Sequence, residues 1–287
     1  MLSLVRSDLF RITRPRGLRG SLWQYLVAIA GVYAAVFGLI ALVESPLMDG
    51  LAEPHLREAL LGFSSPAHYL ANMLGGIVPL CVTFMTVEIA LADFKAGFVK
   101  SILSSRQGRL SYAAEKIVFA GVVSAVVIAA ASVMSLVPAL AFGATFGAFD
   151  ALELVGWLSA LWLVCWALAV LSLVVVYATR VNAVSYIGAF CLCSGVVSST
   201  IEGLAYSSGG ILRFLQPIAP VLETAAAWMP SSALDHLGTG GFFNPMEAGM
   251  YMTALPISTG AQAVLTGIIW IVLGGLAVLA IVRKRDI

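Results

Sequence analysis

Six long apolar runs divide the chain and limit what it can fold into. A helix that crosses a bilayer needs about 20 mainly apolar residues, because the hydrocarbon core is about 30 Å thick and each helical residue rises about 1.5 Å. The 287-residue chain is 60% hydrophobic and only 11% charged, whereas soluble domains carry about 25% charged residues. The sequence therefore predicts an all-α, polytopic membrane protein with a single six-span transmembrane domain over residues 21–287. The predicted spans are Ser21–Val43, Met73–Leu91, Ile117–Phe142, Leu154–Ala178, Ala183–Ile201 and Gly260–Val282.

The basic residues concentrate on one predicted side of the membrane. With a cytoplasmic N-terminus, fourteen of the sixteen Lys and Arg lie inside and only Arg57 and Arg213 lie outside. Ten of the fifteen acidic residues lie in the outer loops. Because short cytoplasmic loops are enriched in Lys and Arg, this pattern predicts a multi-pass protein of the cell membrane with both termini cytoplasmic. The inside basic residues are Arg6, Arg11, Arg14, Arg16, Arg19, Lys95, Lys100, Arg106, Arg109, Lys116, Arg180, Arg283, Lys284 and Arg285.

Residues 1–20 precede the first span and have an amphipathic pattern. Leu2, Val5, Leu9 and Ile12 recur at helical spacing, with arginines on the other flank, before Pro15 and Gly17 end the pattern. This favours an interfacial helix along the inner membrane surface. The first span is too long for the apolar part of a cleaved signal peptide, and no small-residue cleavage site follows it, so we expect an uncleaved membrane anchor.

The last outer region, 202–259, is unusually apolar for a loop. Pro217, Pro220 and Pro230 divide it into pieces that are too short to span a bilayer. Short apolar helices that end at prolines are typical of re-entrant or interfacial elements. We therefore expect such elements before the sixth span.

The segment 93–116 is the longest polar stretch between two apolar walls. Phe98 and Ile102, with Val99 and Leu103 more loosely, fall on one face of a short predicted helix, and Lys100 lies opposite. A turn through Gln107 and Gly108 and an N-cap at Ser111 are predicted before the third span. Two spans joined by a short amphipathic helix form a lever whose apolar face needs a membrane surface or a protein groove.

This segment resembles the cytoplasmic coupling region of type 2 ATP-binding-cassette (ABC) transporter permeases. Those permeases show an acidic residue, a Gly a few positions on, a Leu-Leu-Ser-Ser-Pro-like run that ends near Ser-Arg, and a Lys at the next span. Here Asp93, Gly97, "ILSSRQGR" and Lys116 stand in those places, although Arg106 replaces the frequent proline and Phe98 the frequent threonine. The N-terminal helix Met1–Arg14, the six spans, the proline-broken outer region and the "VRKRDI" ending are also similar, so the likeness covers the whole chain. In style it is closest to permeases of bacterial peptide-antibiotic (lantibiotic) immunity and export systems.

The resemblance implies a permease subunit of an ATP-driven exporter of an amphipathic or hydrophobic cargo, such as a peptide antibiotic, a drug or a lipid. The short helix would dock into a separate cytoplasmic ATPase subunit, with Phe98 and Ile102 as apolar anchors. A second permease chain, identical or related, would complete the pathway. ATP and Mg²⁺ would bind the partner ATPase, and this chain would bind no cofactor and no nucleic acid. The implied coupling residues are Asp93, Lys95, Gly97, Phe98, Lys100, Ile102, Leu103, Arg106 and Arg109.

Other chemistry finds little support in the sequence. No phosphate-binding loop of the G-x-x-x-x-G-K-[ST] type is present, so we do not expect the chain to be an enzyme, and neither the histidines nor the cysteines have metal-ligand spacing. Glu88 is the only acid inside a predicted span, which makes it a candidate intramembrane functional residue with Arg180 or Lys95 as a partner. Trp157, Trp162 and Trp166 are expected to be packing residues. The alternatives are a gradient-driven secondary transporter and a non-transport integral membrane subunit.

Overall fold

The computed structural model describes residues 2–13, 22–43, 45, 61–95, 106–147, 149–207, 213–244 and 257–284. Within these ranges the chain is almost entirely helical. Two short strands, β1 (Gly62–Phe63) and β2 (Thr145–Phe146), and a 3-10 helix (Arg213–Ile218) complete the described elements. The helices are α1 (Leu2–Thr13), α2 (Leu22–Val43), α3 (Pro66–Leu74), α4 (Ile77–Lys95), α5 (Arg106–Ala141), α6 (Ala151–Thr179), α7 (Asn182–Cys193), α8 (Val196–Ser207), α9 (Ala219–Ala227), α10 (Pro230–Leu237) and α11 (Thr259–Lys284).

Five of the described helices are long and apolar enough to cross a membrane, namely α2, α4, α5, α6 and α11. They correspond to five of the six predicted spans. The fifth prediction, Ala183–Ile201, falls instead on α7 and α8, two 12-residue helices bent by 62° at Ser194–Gly195. Counted as one broken span, this pair brings the total to six. A multi-pass membrane protein is therefore confirmed, and the fifth span as a single straight helix is wrong.

The bend between α7 and α8 has a local cause. Gly195 adopts φ +73°, a left-handed conformation that residues with a side chain rarely take. The amide of Ser194 still bonds to the carbonyl of Phe190, so α7 ends cleanly before the turn. The run Ala183–Ile201 contains several Ser, Gly and Cys residues, and Ser194 and Gly195 lie at the break.

Two predicted element boundaries are also wrong. The second span was expected to start at Met73, but Met73 and Leu74 end α3, and Gly75–Gly76 turn the chain into α4. The turn at Gln107–Gly108 and the cap at Ser111 do not occur, because the 36-residue helix α5 already starts at Arg106. A single glycine costs a helix only about 1 kcal/mol, and the Leu, Ala, Glu and Lys residues that follow Gly108 favour the helix.

Helix α6 forms the centre of the bundle and packs closely against α11. Small residues of α11 make this approach close: a β-carbon on Gly267 would lie 2.7 Å from Cβ of Leu163 and 3.0 Å from its carbonyl carbon. A β-carbon on Gly274 would lie 2.9 Å from Val170. Two helices in a membrane gain little from hydrophobic exclusion, so close backbone contact of this kind holds them together.

Three tryptophans of α6 donate hydrogen bonds to neighbouring helices, in agreement with the prediction that they are packing residues. The indole nitrogens of Trp162 and Trp166 donate to the carbonyl oxygens of Gly121 and Ile117 on α5, both at 2.8 Å. The buried Trp157 donates to the carbonyl of Leu237 on α10 at 2.9 Å. Because each of the three indole nitrogens donates to a backbone carbonyl of a neighbouring helix, these rings pack the bundle and do not form an open aromatic cage.

The end of the bundle where α5 finishes and α6 starts, here called the outer end, contains the only described strand pairing. Strands β1 and β2 pair in parallel, with Gly62 opposite Thr145 and Phe63 opposite Phe146. Tyr69 of α3 contacts both phenylalanine rings edge-on and donates to the carbonyl of Ser135 at 2.7 Å. The two loops are thereby joined to α5.

The proline-broken outer region forms short helices, as predicted. Pro220 and Pro230 lie in the first turns of α9 and α10, where a missing amide hydrogen costs no helical bond. A nine-residue helix such as α9 is about 14 Å long, less than half of the hydrocarbon thickness. The placement of these helices at a membrane surface stays a prediction.

Gly267→Ala should lower the free energy of unfolding by about 1–3 kcal/mol, because the added carbon meets the backbone of α6 rather than a movable side chain. The matched control is Gly38→Ala on α2, where nothing lies within 4 Å and the loss of glycine flexibility should leave stability equal or higher. Thermal unfolding of both variants in mild detergent measures the difference. Equal Tm values would contradict the close α6–α11 contact.

Candidate functional site

Charged side chains meet at the end of the bundle where α4 finishes and α5 starts, here called the basic end. Helices α1, α4 and α5 contribute to this group, and α6 ends beside it. We call the five charged residues Asp8, Arg11, Asp93, Glu115 and Lys116 the ionic cluster. All of them except Arg11 are almost completely buried.

Asp93 lies at the centre of the ionic cluster, and both of its carboxylate oxygens are satisfied. One oxygen accepts a hydrogen bond from Nη1 of Arg11 at 2.7 Å. The other accepts from the hydroxyl of Tyr112 and contacts Nζ of Lys116, each at 2.7 Å. The side chain is 1% exposed, so this carboxylate has exchanged water for three protein donors.

Lys116 is 2% exposed and joins Asp93 to the N-terminal helix. Its ammonium group also pairs with Asp8 of α1 and lies over the rings of Tyr112 and Phe119, at 5.2 and 5.7 Å from their centroids. These aromatic faces add a favourable cation–π contribution. One carboxylate oxygen of Glu115 lies 3.9 Å from the ammonium, and the other is buried without a hydrogen-bond partner among the described residues.

Arg11 completes the connection between α1 and the bundle. Its guanidinium contacts Asp8, three residues earlier, and Asp93, 82 residues later. Burial disfavours the charged guanidinium, but the hydrogen bond that it donates to Asp93 and the negative charges of Asp93 and Asp8 outweigh this effect and raise the pKa of Arg11. Arg11 therefore remains a permanent cation in this position.

Buried ion pairs add little net stability compared with an apolar core, but breaking one leaves a buried charge unpaired and costs several kcal/mol. Their effect is to fix one geometry. In this chain the ion pairs fix the relative positions of α1, the end of α4 and the start of α5. The ionic cluster thus fastens both ends of the connection 96–105 to each other and to the N-terminal helix.

The structure places the apolar face of α1 against protein. Val5 and Ile12 are buried with Asp8 on the same face, Leu9 is partly buried, and Phe10 is exposed. The predicted amphipathic helix is confirmed as a helix, but its apolar residues contact the other helices. Its position at a lipid interface stays a prediction.

Of the predicted coupling residues, Asp93 alone belongs to the ionic cluster. Lys95 is exposed and ends α4, and Arg106 and Arg109 lie in the first turn of α5. The remaining coupling residues lie outside the described part of the chain; they are Gly97, Phe98, Lys100, Ile102 and Leu103.

Glu88 lies in α4 and is half-buried. Its carboxylate accepts a hydrogen bond from the hydroxyl of Tyr25 on α2 at 2.7 Å. The expected pairing with Arg180 or Lys95 does not occur: Arg180 lies over the ring of Phe94, 5.6 Å from its centroid, and Lys95 ends the helix exposed. A tyrosine rather than a cation is therefore the described partner of Glu88.

Sequence reasoning missed Asp8, Arg11, Tyr112 and Glu115. One signal was available for Asp8, which is the only acid in α1 and follows Val5 by three residues on the apolar face. An acid on an apolar helical face requires a buried cation, and the bundle offers Lys116. For the other three residues the sequence carries no comparable signal.

A polar cavity of about 250 Å³ lies at the outer end, between α3, the start of α6 and the turn after α10. Asp150 caps α6 through the amide of Leu152 at 2.8 Å, which explains its presence there. Among the described residues no group of three His, Cys, Asp or Glu side chains is arranged to hold a metal ion. The four cysteines are free thiols.

No protein-family model and no curated protein matches this chain. The described residues define the chain as a helical, multi-pass membrane protein with a buried ionic cluster at one end of its bundle.

Lys116→Met should lower the free energy of unfolding by about 3–5 kcal/mol, because Asp8 and Asp93 then compete for Arg11 alone. The control is Lys95→Met, which removes an exposed lysine from the same end of the bundle and should change stability by about 0.5 kcal/mol or less. Thermal unfolding in detergent compares the two. Similar Tm values for both variants would show that the ionic cluster does not form.

Asp8→Asn should loosen α1 from the bundle, since the amide removes the charge that faces Lys116. The bond after Arg11, next to the buried Ile12, should then be cut by trypsin about tenfold faster or more under native conditions. Mass spectrometry of the released N-terminal peptide reports that bond specifically. Ser7→Ala, on the exposed face of α1, should cleave at the wild-type rate; accelerated cleavage in this control would point to general helix fraying instead.

Proposed function

We propose that this chain is the membrane subunit of an ATP-driven transporter of the type 2 ABC class, coupled through segment 93–116 to a separate ATPase. The observation that carries the proposal is the ionic cluster, which fastens both ends of the connection 96–105. A connection that only reversed the chain direction would not require four buried charged residues at its base. A connection that receives force from a partner would.

Force on this connection would reach three helices at once. Asp93 lies in the last turn of α4, Lys116 lies in the third turn of α5, and Asp8 and Arg11 belong to α1. Because breaking a buried ion pair is costly, these helices would move as one unit rather than slide past one another. Rigid-body movement of a helix group is one of the standard ways in which a small displacement at an effector site changes a distant part of a protein.

The charge distribution supports a cytoplasmic basic end. Arg11, Lys95 and Arg180 lie at helix termini that meet there, and Arg283 and Lys284 end α11 on the same side. Since Lys and Arg concentrate in cytoplasmic segments, the connection 96–105 would face a cytoplasmic ATPase. The cell membrane as location, cytoplasmic termini, a second permease chain and an amphipathic or hydrophobic exported cargo belong to the same proposal. In it, ATP and Mg²⁺ bind the ATPase and this chain acts as a permease rather than an enzyme.

One observation favours the second candidate, a gradient-driven transporter. Three buried carboxyl groups face two basic groups in the ionic cluster, and buried ionisable networks of this kind conduct protons in some transporters. The position of the network at a helix end, rather than at the middle of the bundle, favours a mechanical role. Co-purification of an ATPase separates the two candidates.

Phe98→Asp together with Ile102→Asp should abolish co-purification of an ATPase subunit from native membranes in mild detergent, because both changes place a carboxylate in the proposed apolar contact. Phe10→Asp, a change of an exposed phenylalanine at the same end, is the matched control and should retain the ATPase. Quantitative mass spectrometry of the purified complexes measures the ratio of ATPase to chain. An ATPase absent from the wild-type preparation would refute the proposal.

A further inference from the structure

Glu88 is an acid within a membrane-spanning helix that no described cation neutralises. Among the described residues, every Lys or Arg within ion-pair distance of a carboxylate belongs to the ionic cluster. The contrast with Asp93 is direct, because Asp93 lies five residues further along α4 and has three donors. By helical rise the two carboxylates are about 8 Å apart along the axis. One is neutralised inside the protein and the other is not.

The surroundings of Glu88 are aromatic. Tyr25 of α2 donates to its carboxylate, and Tyr186 of α7 lies within electrostatic reach of it. Tyr186 also contacts Phe84 of α4 edge-on, with ring centroids 5.6 Å apart. Glu88 is half-buried, so the surrounding helices do not close off its side chain completely.

A carboxylate beside aromatic faces recognises positively charged organic groups. Ammonium and similar cations bind aromatic faces through the ring quadrupole, and more strongly where water is partly excluded. A half-exposed carboxylate adds direct charge attraction. Placing an ionisable group within a membrane costs free energy, so such residues are functional candidates, and binding a cationic ligand would explain the presence of Glu88.

The opposite end of the bundle has matching charge. The described part of the outer end carries five acids and only Arg213 as a base. A positively charged cargo would therefore meet favourable charge at the outer end as well as at Glu88. The five acids are Asp150, Glu153, Glu202, Glu223 and Asp235.

We infer that Glu88, with Tyr25 and Tyr186, binds the positively charged group of the cargo near the basic end of the bundle. The inference rests on the proposed transport function and narrows its substrate class to cationic amphipathic molecules. Glu88 supplies the charge, the hydroxyl of Tyr25 orients the carboxylate, and the rings of the two tyrosines supply faces for the cation. The cargo cation takes the place that a Lys or Arg takes beside Asp93.

The test is equilibrium binding of radiolabelled tetraphenylphosphonium, an apolar cation, to the full-length chain purified in mild detergent. Wild type should bind it saturably, unlabelled tetraphenylphosphonium should compete, and neutral triphenylphosphine oxide should not. Glu88→Gln should weaken binding about tenfold or more, the effect of losing one charge contact in a partly desolvated site. Glu88→Asp keeps the charge and should retain more affinity than Glu88→Gln. Tyr33→Phe is the control. It removes another tyrosine hydroxyl from α2, one that donates to the carbonyl of Met73 instead of Glu88, and it should bind as wild type.

Three results would overturn the inference: no saturable binding by wild type, equal competition by the neutral compound, or wild-type affinity in Glu88→Gln. The competition experiment needs no variant, so equal competition by the neutral compound would overturn the inference even if Glu88→Gln does not purify as a single species. ATPase co-purification is scored on the same preparations. Loss of cation selectivity with the ATPase still bound would overturn the role of Glu88 alone, and cation binding without any ATPase would overturn the proposed function alone.

Discussion

The ion pair between Asp93 and Lys116 is the interaction on which the arrangement at the basic end depends. It closes the connection between α4 and α5 at its base, and it is buried so well that neither side chain has water as an alternative partner. Asp8 and Arg11 bring α1 to the same point. Three stretches of chain that are distant in sequence thereby share one set of charges, and none of the three can move without exposing or unpairing a charge.

The rest of the bundle is held by contacts of a different kind. Glycines of α11 let it approach the backbone of α6, and indole groups of α6 donate to carbonyls of α5 and α10. These contacts suit a membrane, where apolar surface alone does not favour helix association. The protein therefore combines a rigid centre around α6 with a charged joint at one end.

The apolar runs of the sequence predicted the spans well, because length and hydropathy are properties of a segment by itself. The breaks were harder. The bend at Gly195 depends on a left-handed backbone conformation that a glycine permits but does not require. The turn at Gly75–Gly76 interrupts an apolar run without any change in hydropathy that would mark it. The ionic cluster was the hardest to predict: Asp93 and Lys116 stood out as the ends of a motif, but their contact, and the participation of Asp8, are long-range consequences of how the helices pack.

Helix α5 has a length that its neighbours explain. Its 36 residues extend about 54 Å, well beyond a hydrocarbon core of about 30 Å. One end is tied by Lys116 to α4 and α1, and beyond its other end β2 pairs with β1. Helix α5 is therefore held near both ends and is longer than the hydrocarbon core that it crosses. A tilt of α5 at its charged base would move its far end sideways. The paired strands β1 and β2, which lie beyond that end, would move with it.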